Sequence, residues 1–156
     1  MSTHRHLPTM IAAFITLFGC VATAHAQPST KAGLRIGFYT DAGKPFVGGE
    51  LLTRLAPFTY FNPNLEYVFT DAGAFMTFNA DFHYDLPSRN HHFVWIGGGI
   101  GGIYVNPEGP ADGNTDLAVN LLTGVGLSRG PVIPFLQGKV ILSDDTEFVI
   151  AFGMRF

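Results

Sequence analysis

The sequence has almost no cysteine and little charge. Its 156 residues include a single cysteine, Cys20, and Asp, Glu, Lys and Arg make up 13% of the chain, against about 25% in ordinary soluble domains. One cysteine excludes a disulfide framework within the chain. The small share of charged residues predicts that something other than water covers much of the protein surface.

Long apolar runs and an excess of basic residues are missing as well. Outside the N-terminal segment, the longest run of apolar residues and glycine spans residues 93–105, which is shorter than the about 20 residues that a transmembrane helix needs. No helical period of 3.6 residues competes with the strand-like alternation in this part of the chain. Nine Lys and Arg stand against twelve Asp and Glu, so there is no electrostatic case for binding nucleic acid.

The first 26 residues have the three-part layout of a secretory signal peptide. Arg5 supplies positive charge, residues 7–19 form an apolar core, and the small residues of "AHA" end at Ala26. We therefore predict a cleaved signal peptide over residues 1–26 and one exported domain over residues 27–156. The exported domain then contains no cysteine, and thus neither a thiol nucleophile nor a thiolate metal site.

Cys20 offers an alternative processing site. The stretch "LFGC" would make Cys20 the lipidated first residue of a lipoprotein. The bulky Phe18, two positions before the cysteine, fits such a site poorly, and the "AHA" site downstream fits signal-peptide cleavage well. We therefore favour cleavage after Ala26.

Eight stretches of the exported domain alternate as β-strands do and are separated by turn-forming residues. The sequence thus predicts an all-β protein. The predicted strands are residues 31–40, 46–60, 64–70, 74–86, 92–105, 115–128, 132–142 and 147–156. The predicted connections are residues 41–45, 61–64, 71–73, 87–91, 106–114, 129–131 and 143–145.

Each strand has one apolar and one polar face. In residues 74–86, Met76, Phe78 and Phe82 fall on one side and Asp81 and His83 on the other. Because an exported chain with an apolar surface and no spanning helix satisfies its backbone in lipid only as a closed barrel, we predict the apolar face outside and the polar face inside. The predicted polar network of the interior consists of Arg35, Glu50, Arg54, Glu66, Asp81, His83, Asp116, Lys139 and Arg155.

An eight-stranded barrel is just wide enough inside for its own side chains. Four basic and four acidic residues of this network would have to pair in a dry interior, since an unpaired buried charge costs several kcal/mol. We expect Arg155 to meet a carboxylate such as Glu66 or Asp116. Such a filled interior would conduct ions poorly or not at all.

At three places the sequence resembles a known family. The glycine-rich "VWIGGGIGGIYV", the strand "PFLQGKVIL" entered through a proline, and the closing "FVIAFGMRF" resemble the small eight-stranded outer-membrane β-barrel proteins of Gram-negative bacteria. The resemblance implies an up-and-down transmembrane barrel in the outer membrane, surrounded by outer-membrane lipid, with both termini in the periplasm. It also implies a C-terminal signal for the barrel-assembly machinery, matched here by Ala151, Met154 and Phe156, whereas Ile150 departs from the family pattern.

Four other features have ordinary structural interpretations. His91 and His92 are a candidate metal pair, but adjacent strand residues point to opposite faces. Asp81, His83 and Asp85 share a face like half of a catalytic constellation, which we interpret as a hydrogen-bond network. The glycines of "GGGIGG" allow tight bending or a large side chain packed over them. The aromatic residues near strand ends fit interfacial girdles, namely Tyr60, Tyr67, Tyr84, Trp95 and Tyr104.

The sequence therefore predicts a non-catalytic outer-membrane barrel without metal or cofactor, with a structural or interaction role in the cell envelope. Its extracellular or periplasmic partner cannot be named, because the loops are short and generic. Three alternatives remain open. They are a soluble periplasmic β-calyx that binds an apolar ligand, an outer-membrane enzyme that modifies lipid, and a narrow channel for small hydrophobic solutes.

Overall fold

Eight antiparallel strands close into an up-and-down barrel in which each strand pairs with its neighbours in sequence and β8 pairs with β1. This computed structural model describes residues 30–71, 74–88, 91–106, 114–127 and 130–156. The predicted fold class is confirmed. The strands are β1 (Thr30–Tyr39), β2 (Lys44–Ala56), β3 (Thr59–Val68), β4 (Ala74–Leu86), β5 (His92–Asn106), β6 (Asn114–Leu127), β7 (Ile133–Leu142) and β8 (Glu147–Arg155).

The barrel has two ends, which we name by what lies there. At the terminus end β1 begins, β8 ends, the chain turns at Pro57 and Phe58, and β4 and β6 end. The far end carries the connections after β1, β3, β5 and β7. The predicted signal peptide with Cys20, and most of the predicted connection 106–114, lie outside the described residues.

The turn between β2 and β3 is displaced from its predicted place. Residues 61–64 were expected to form this turn, but the chain reverses at Pro57 and Phe58, where Phe58 has a φ of 62°, and residues 61–64 lie inside β3. The prediction was wrong because the two asparagines point into the barrel, where their amides donate to the Leu51 carbonyl and to Asp81 instead of forming a turn. Asn62 and Asn64 are fully buried.

Pro63 lacks the N–H that a strand residue offers to its neighbour. The ladder between β2 and β3 has pairs at Glu50 with Asn64 and at Thr53 with Phe61, but none between them. The Asn62 Nδ2 group donates to the Leu51 carbonyl at 2.9 Å. A side-chain amide thus supplies a donor to β2 beside the proline.

The predicted alternation of faces is visible along every strand. In β8, Phe148, Ile150 and Phe152 are exposed, whereas Val149 and Ala151 are buried. Between the two rims, the outward positions that the structure describes carry only apolar residues, glycine, proline or threonine. Within those same residues no helix is long and apolar enough to cross a membrane.

Two apolar clusters close the interior at its ends. At the far end Tyr39, Phe46, Val68, Ala118, Ile141, Val149 and Ala151 pack together. At the terminus end the cluster consists of Trp95, Leu122 and Phe135. The girdle prediction for Trp95 was wrong, because this side chain is fully buried inside the barrel, while Tyr67 and Tyr84 are exposed on the outside as expected.

Large inward side chains lie over glycines of the next strand. The indole of Trp95 occupies the space that a Cβ would need on Gly124, and the ring of Phe135 does the same over Gly153. Gly138, on the outward face, has open space around it. The inward glycines therefore make room for aromatic rings inside a barrel that is otherwise too narrow for them.

The C-terminal residue is held by the closing seam. The Phe156 N–H donates to the Ala32 carbonyl at 2.9 Å, and the Ala32 N–H donates to the Phe156 carbonyl at 3.2 Å. The side chain of Phe156 lies on the exposed face. Backbone pairing with β1 therefore extends as far as Phe156.

The glycine positions can be tested with alanine. We expect Gly124→Ala to destabilise the barrel by about 1–3 kcal/mol, because the new methyl group overlaps with the Trp95 ring in a closely packed interior. The measurement is the temperature midpoint of the loss of folded mobility in gel electrophoresis. Gly138→Ala, whose methyl group meets open space, is the matched control and should leave the midpoint unchanged. Equal midpoints for both variants would contradict the packing described above.

Candidate functional site

The interior between the two apolar clusters is polar. Seven of the nine residues predicted to form the interior network are buried, with 7% or less of their surface exposed. They come from six strands, β1, β2, β3, β4, β7 and β8. These residues are Arg35, Glu50, Glu66, Asp81, His83, Lys139 and Arg155.

Five of these side chains form a continuous chain of alternating charge. Arg155 Nε donates to Glu50 Oε1 at 2.5 Å, and Arg35 Nη1 donates to Glu50 Oε2 at 3.3 Å. Arg35 Nη2 lies 3.1 Å from Glu66 Oε1. Lys139 Nζ donates to the same Glu66 oxygen at 3.1 Å. Each carboxylate is therefore shared by two cations.

Glu66 also joins the ion pairs to neutral residues. Its other oxygen, Oε2, accepts from the hydroxyl of Tyr39 and, at 3.1 Å, from that of Thr77. Thr77 Oγ1 in turn accepts from Asn79 Nδ2 at 3.2 Å. The carboxylate of Glu66 thus has four partners, which satisfies the acceptor sites of an ionised group in a dry interior.

Asp81 is the third buried acid, and amides surround it. Asn64 Nδ2 donates to its Oδ2 at 2.9 Å, and Asn120 Nδ2 donates to its Oδ1 at 2.8 Å. Asn120 also donates to Asn79 Oδ1 at 2.8 Å. Through Asn79 the Asp81 group is connected to Thr77 and so to the ion pairs.

Charge is balanced in this network. Three buried cations face three buried carboxylates. Removing one partner of a buried pair costs about 3–5 kcal/mol, because a charge is then left unpaired away from water. The arrangement therefore holds only when all its strands are in their final places.

At the centre of the barrel, the inward positions of β5 are glycines and not polar side chains. A Cβ on Gly99 would overlap with the Asp81 carboxylate, and one on Gly101 would press on Asn79 Oδ1. The inward positions of "GGGIGG" thus accommodate side chains from β4. This is the close approach that the sequence predicted for these glycines.

Two of the residues predicted for the network lie outside it. Arg54 is exposed beside an irregularity in the β2–β3 pairing, and its Nε donates to the Ala56 carbonyl at 3.4 Å. Asp116 is exposed at the start of β6, at the far end. Arg155 lies near the terminus end and pairs with Glu50, not with Glu66 or Asp116 as expected. Alternation indicates a face, but only the register decides which residues meet.

The three polar residues of β4 that resembled a catalytic constellation do not act on one another. The Asp81 oxygens are occupied by amides. The His83 ring stacks on Trp95, with 5.6 Å between ring centroids and an interplanar angle of 11°. Asp85 is half-buried at the end of β4. No hydrogen bond between His83 and either acid appears among the described residues.

Several members of the network were missed or misplaced in the sequence. The sequence predicts a turn at Asn62 and Asn64, and the predicted network does not include Tyr39 and Thr77. Their parity along the strands, shared with Arg35, Glu66 and Asp81, is the signal that places them inside. Trp95 likewise lies an even number of residues from Gly97 and Gly99, which also face the interior.

The remaining site predictions concern metals and the chain end. His91 and His92 are exposed, and the described residues contain no group of three or more His, Asp or Glu that could hold a metal ion. Of the expected assembly signal, Ala151 is buried on the inward face, whereas Met154 and Phe156 are exposed on the outward face.

The connections at the far end are tied to one another. Glu147 accepts from the N–H groups of Asp41 and Ala42 at 2.7 and 3.0 Å. Lys44 pairs with Asp71, and the hydrogen bond and charge of Lys44 lower the pKa of the Asp71 carboxyl. The connection between β1 and β2 is thus bound to the start of β8, and the start of β2 is bound to the connection between β3 and β4.

No family model and no curated protein matches the sequence. Solved structures are similar in fold. The N-terminal β-barrel domain of Pseudomonas aeruginosa OprF matches with a TM-score of 0.72 and 11% identity, over 83% of this chain and 97% of that one. Neisserial surface protein A matches with a TM-score of 0.59 and 13% identity, over 81% and 94%.

The outer membrane protein Ail of Yersinia pestis matches with a TM-score of 0.51 and 9% identity, over 82% of this chain and all (100%) of that one. These proteins are small eight-stranded outer-membrane barrels. At such low identity the likeness shows the fold alone. The chain has the fold of the small eight-stranded outer-membrane β-barrels.

Proposed function

We propose that the protein is an integral outer-membrane barrel with a filled, non-conducting interior and a structural or interaction role in the cell envelope. The observation that carries this proposal is the distribution of charge. Every charged side chain in the middle of the described strands points inward, and the outward positions between the rims are uncharged. Such a surface is stable in lipid and poorly solvated in water.

The soluble β-calyx alternative requires the opposite arrangement. A calyx holds an apolar ligand among inward apolar residues and presents polar residues to water. Here Arg35, Glu66 and Asp81 fill the centre, while Leu34, Leu117 and Ile100 are more than 60% exposed. The interior polarity is thus unsuited to an apolar ligand.

A channel for small hydrophobic solutes is disfavoured for a similar reason. Any solute would pass two apolar clusters and, between them, five ion-paired side chains. Opening that path means separating buried ion pairs at a cost of several kcal/mol each. We therefore propose that the barrel acts through its surfaces rather than through its interior.

Non-catalytic character and the assembly partner are part of the same proposal. The buried His83 contacts Trp95 and is remote from the lipid-exposed face, which does not favour a lipid-modifying enzyme. The closing strand presents Met154 and Phe156 outward, and we propose that the barrel-assembly machinery binds this strand before it pairs with β1.

The location can be measured by membrane fractionation. We expect the protein in the outer-membrane fraction, with a gel band whose mobility changes on boiling, because a barrel that is satisfied internally resists detergent until heated. Recovery from the periplasm without detergent would exclude the proposed location.

Phe156→Ala, which keeps the two backbone hydrogen bonds to Ala32, tests the assembly partner in the same fractions. We expect less barrel in the membrane, with little change in the unfolding midpoint of molecules that have inserted. Leu127→Ala, also an exposed position at a strand end, serves as a control for loss of apolar surface. Equal losses for both variants would argue against recognition of the terminus.

The filled interior can be tested at Glu66. We expect Glu66→Ala to lower the stability of the purified barrel by about 3–5 kcal/mol, since Arg35 and Lys139 lose a shared partner away from water. The readout is the unfolding midpoint in detergent. Asp144→Asn, at an exposed connection, is the control and should have no effect.

The unchanged protein should show no conductance in planar bilayers, and a steady ion-selective conductance would contradict a closed interior.

The non-catalytic proposal is testable at His83. We expect His83→Ala to leave the composition of the outer-membrane lipids unchanged when the variant is produced to the same level as the unchanged protein. Mass spectrometry of extracted lipids is the measurement. A lipid species that is present with the unchanged protein and lost with the variant would show an enzyme.

A further inference from the structure

Four buried side chains around the Trp95 indole carry polar atoms that have no hydrogen-bond partner within the described residues. Each side chain has 2% or less of its surface exposed. The atoms are His83 Nε2, Trp95 Nε1, Gln137 Nε2, Gln137 Oε1 and Arg155 Nη2.

These side chains are neighbours at the terminus end of the interior. The rings of His83 and Trp95 are stacked, and Arg155 Cζ lies 4.9 Å from the Trp95 ring centroid. Gln137 pairs across strands with Gly124, the glycine that the Trp95 ring covers. The indole thus has the imidazole and the guanidinium beside it, and Gln137 lies across the strand pair from the glycine that the indole covers.

Leaving these atoms unpaired would be costly. A buried polar atom without a partner costs about 1–3 kcal/mol, and nearly all such atoms in proteins are paired with protein groups or ordered water. Both polar atoms of the Gln137 amide would bear this cost, whereas a Leu side chain would fill a similar space without any polar atom. Trp95 Nε1 and Arg155 Nη2 can only donate hydrogen bonds. The group therefore needs an acceptor.

We propose that this group binds one small hydrogen-bond acceptor, a water molecule or a halide ion, between Trp95, Gln137 and Arg155. Both sources share the property that the site requires, which is a compact acceptor for several N–H donors. The positive charge of the Arg155 guanidinium beside the Trp95 ring favours a halide. Gln137 Oε1 needs a donor, which favours water. The site is independent of the envelope role proposed above.

The indole N–H gives a direct test, because Trp95 is the single tryptophan of the chain. In the unchanged, ¹⁵N-labelled barrel in detergent micelles we expect one indole signal, shifted downfield by hydrogen bonding. A cross-peak from this proton to water identifies water as the acceptor. A change in its position when chloride is replaced by bromide at constant ionic strength identifies a halide. An indole proton that shows neither response overturns the proposal.

Gln137→Leu provides a second test whose sign is decisive. If the acceptor is bound, the variant loses a donor to it and the unfolding midpoint falls, as it should for Thr77→Val, which removes buried hydrogen bonds elsewhere in the interior. If nothing is bound, the variant replaces two unpaired polar atoms by apolar ones and the midpoint rises. A higher midpoint for Gln137→Leu therefore overturns the proposal independently of the spectra.

Discussion

The compensation of buried charge is the constraint on which the rest of this barrel depends. Because the outward face is apolar, the ionisable residues of the strands have to point inward, where an unpaired ion costs several kcal/mol. The acids come from β2, β3 and β4 and the bases from β1, β7 and β8. Partners such as Arg155 and Glu50 are 105 positions apart in the chain. The pairs of Arg155 with Glu50 and of Lys139 with Glu66 therefore require that the last strands have joined the first ones.

Shape limits the interior as strongly as charge does. Eight strands leave room only for side chains that interlock, and the chain meets this limit by placing glycine wherever a neighbour is large. Gly124 lies under Trp95, and Gly99 and Gly101 lie beside Asp81 and Asn79. Strand β5 is consequently almost bare at the centre. The role of its glycines becomes clear only from the side chains of the neighbouring strands, which occupy the space beside them.

Much of the arrangement could be predicted from alternation along single strands. Alternation, together with the low charge that predicted an apolar outer surface, placed Arg35, Glu66 and Lys139 inside and Phe148 and Ile150 outside. It did not identify partners, because those depend on register and on the stagger of the strands around the barrel, as the pairing of Arg155 shows. Alternation also did not predict the turn at Pro57, because the Asn and Pro residues that follow it have the composition of a turn. Exposure at strand ends, as for Arg54 and Asp116, depends on where the barrel stops and not on the face.

The proline within β3 has a consequence for how the strands find their alignment. A slip of one residue between β2 and β3 would turn every side chain to the wrong face, but a slip of two would not, and alternation cannot prevent it. After such a slip Pro63 would face a different carbonyl of β2, and Asn62, which moves with it, would carry its amide away from the Leu51 carbonyl. Because proline and asparagine move together, the alignment of β2 and β3 depends instead on the buried partners that the slip would separate, such as Arg35 and Glu66.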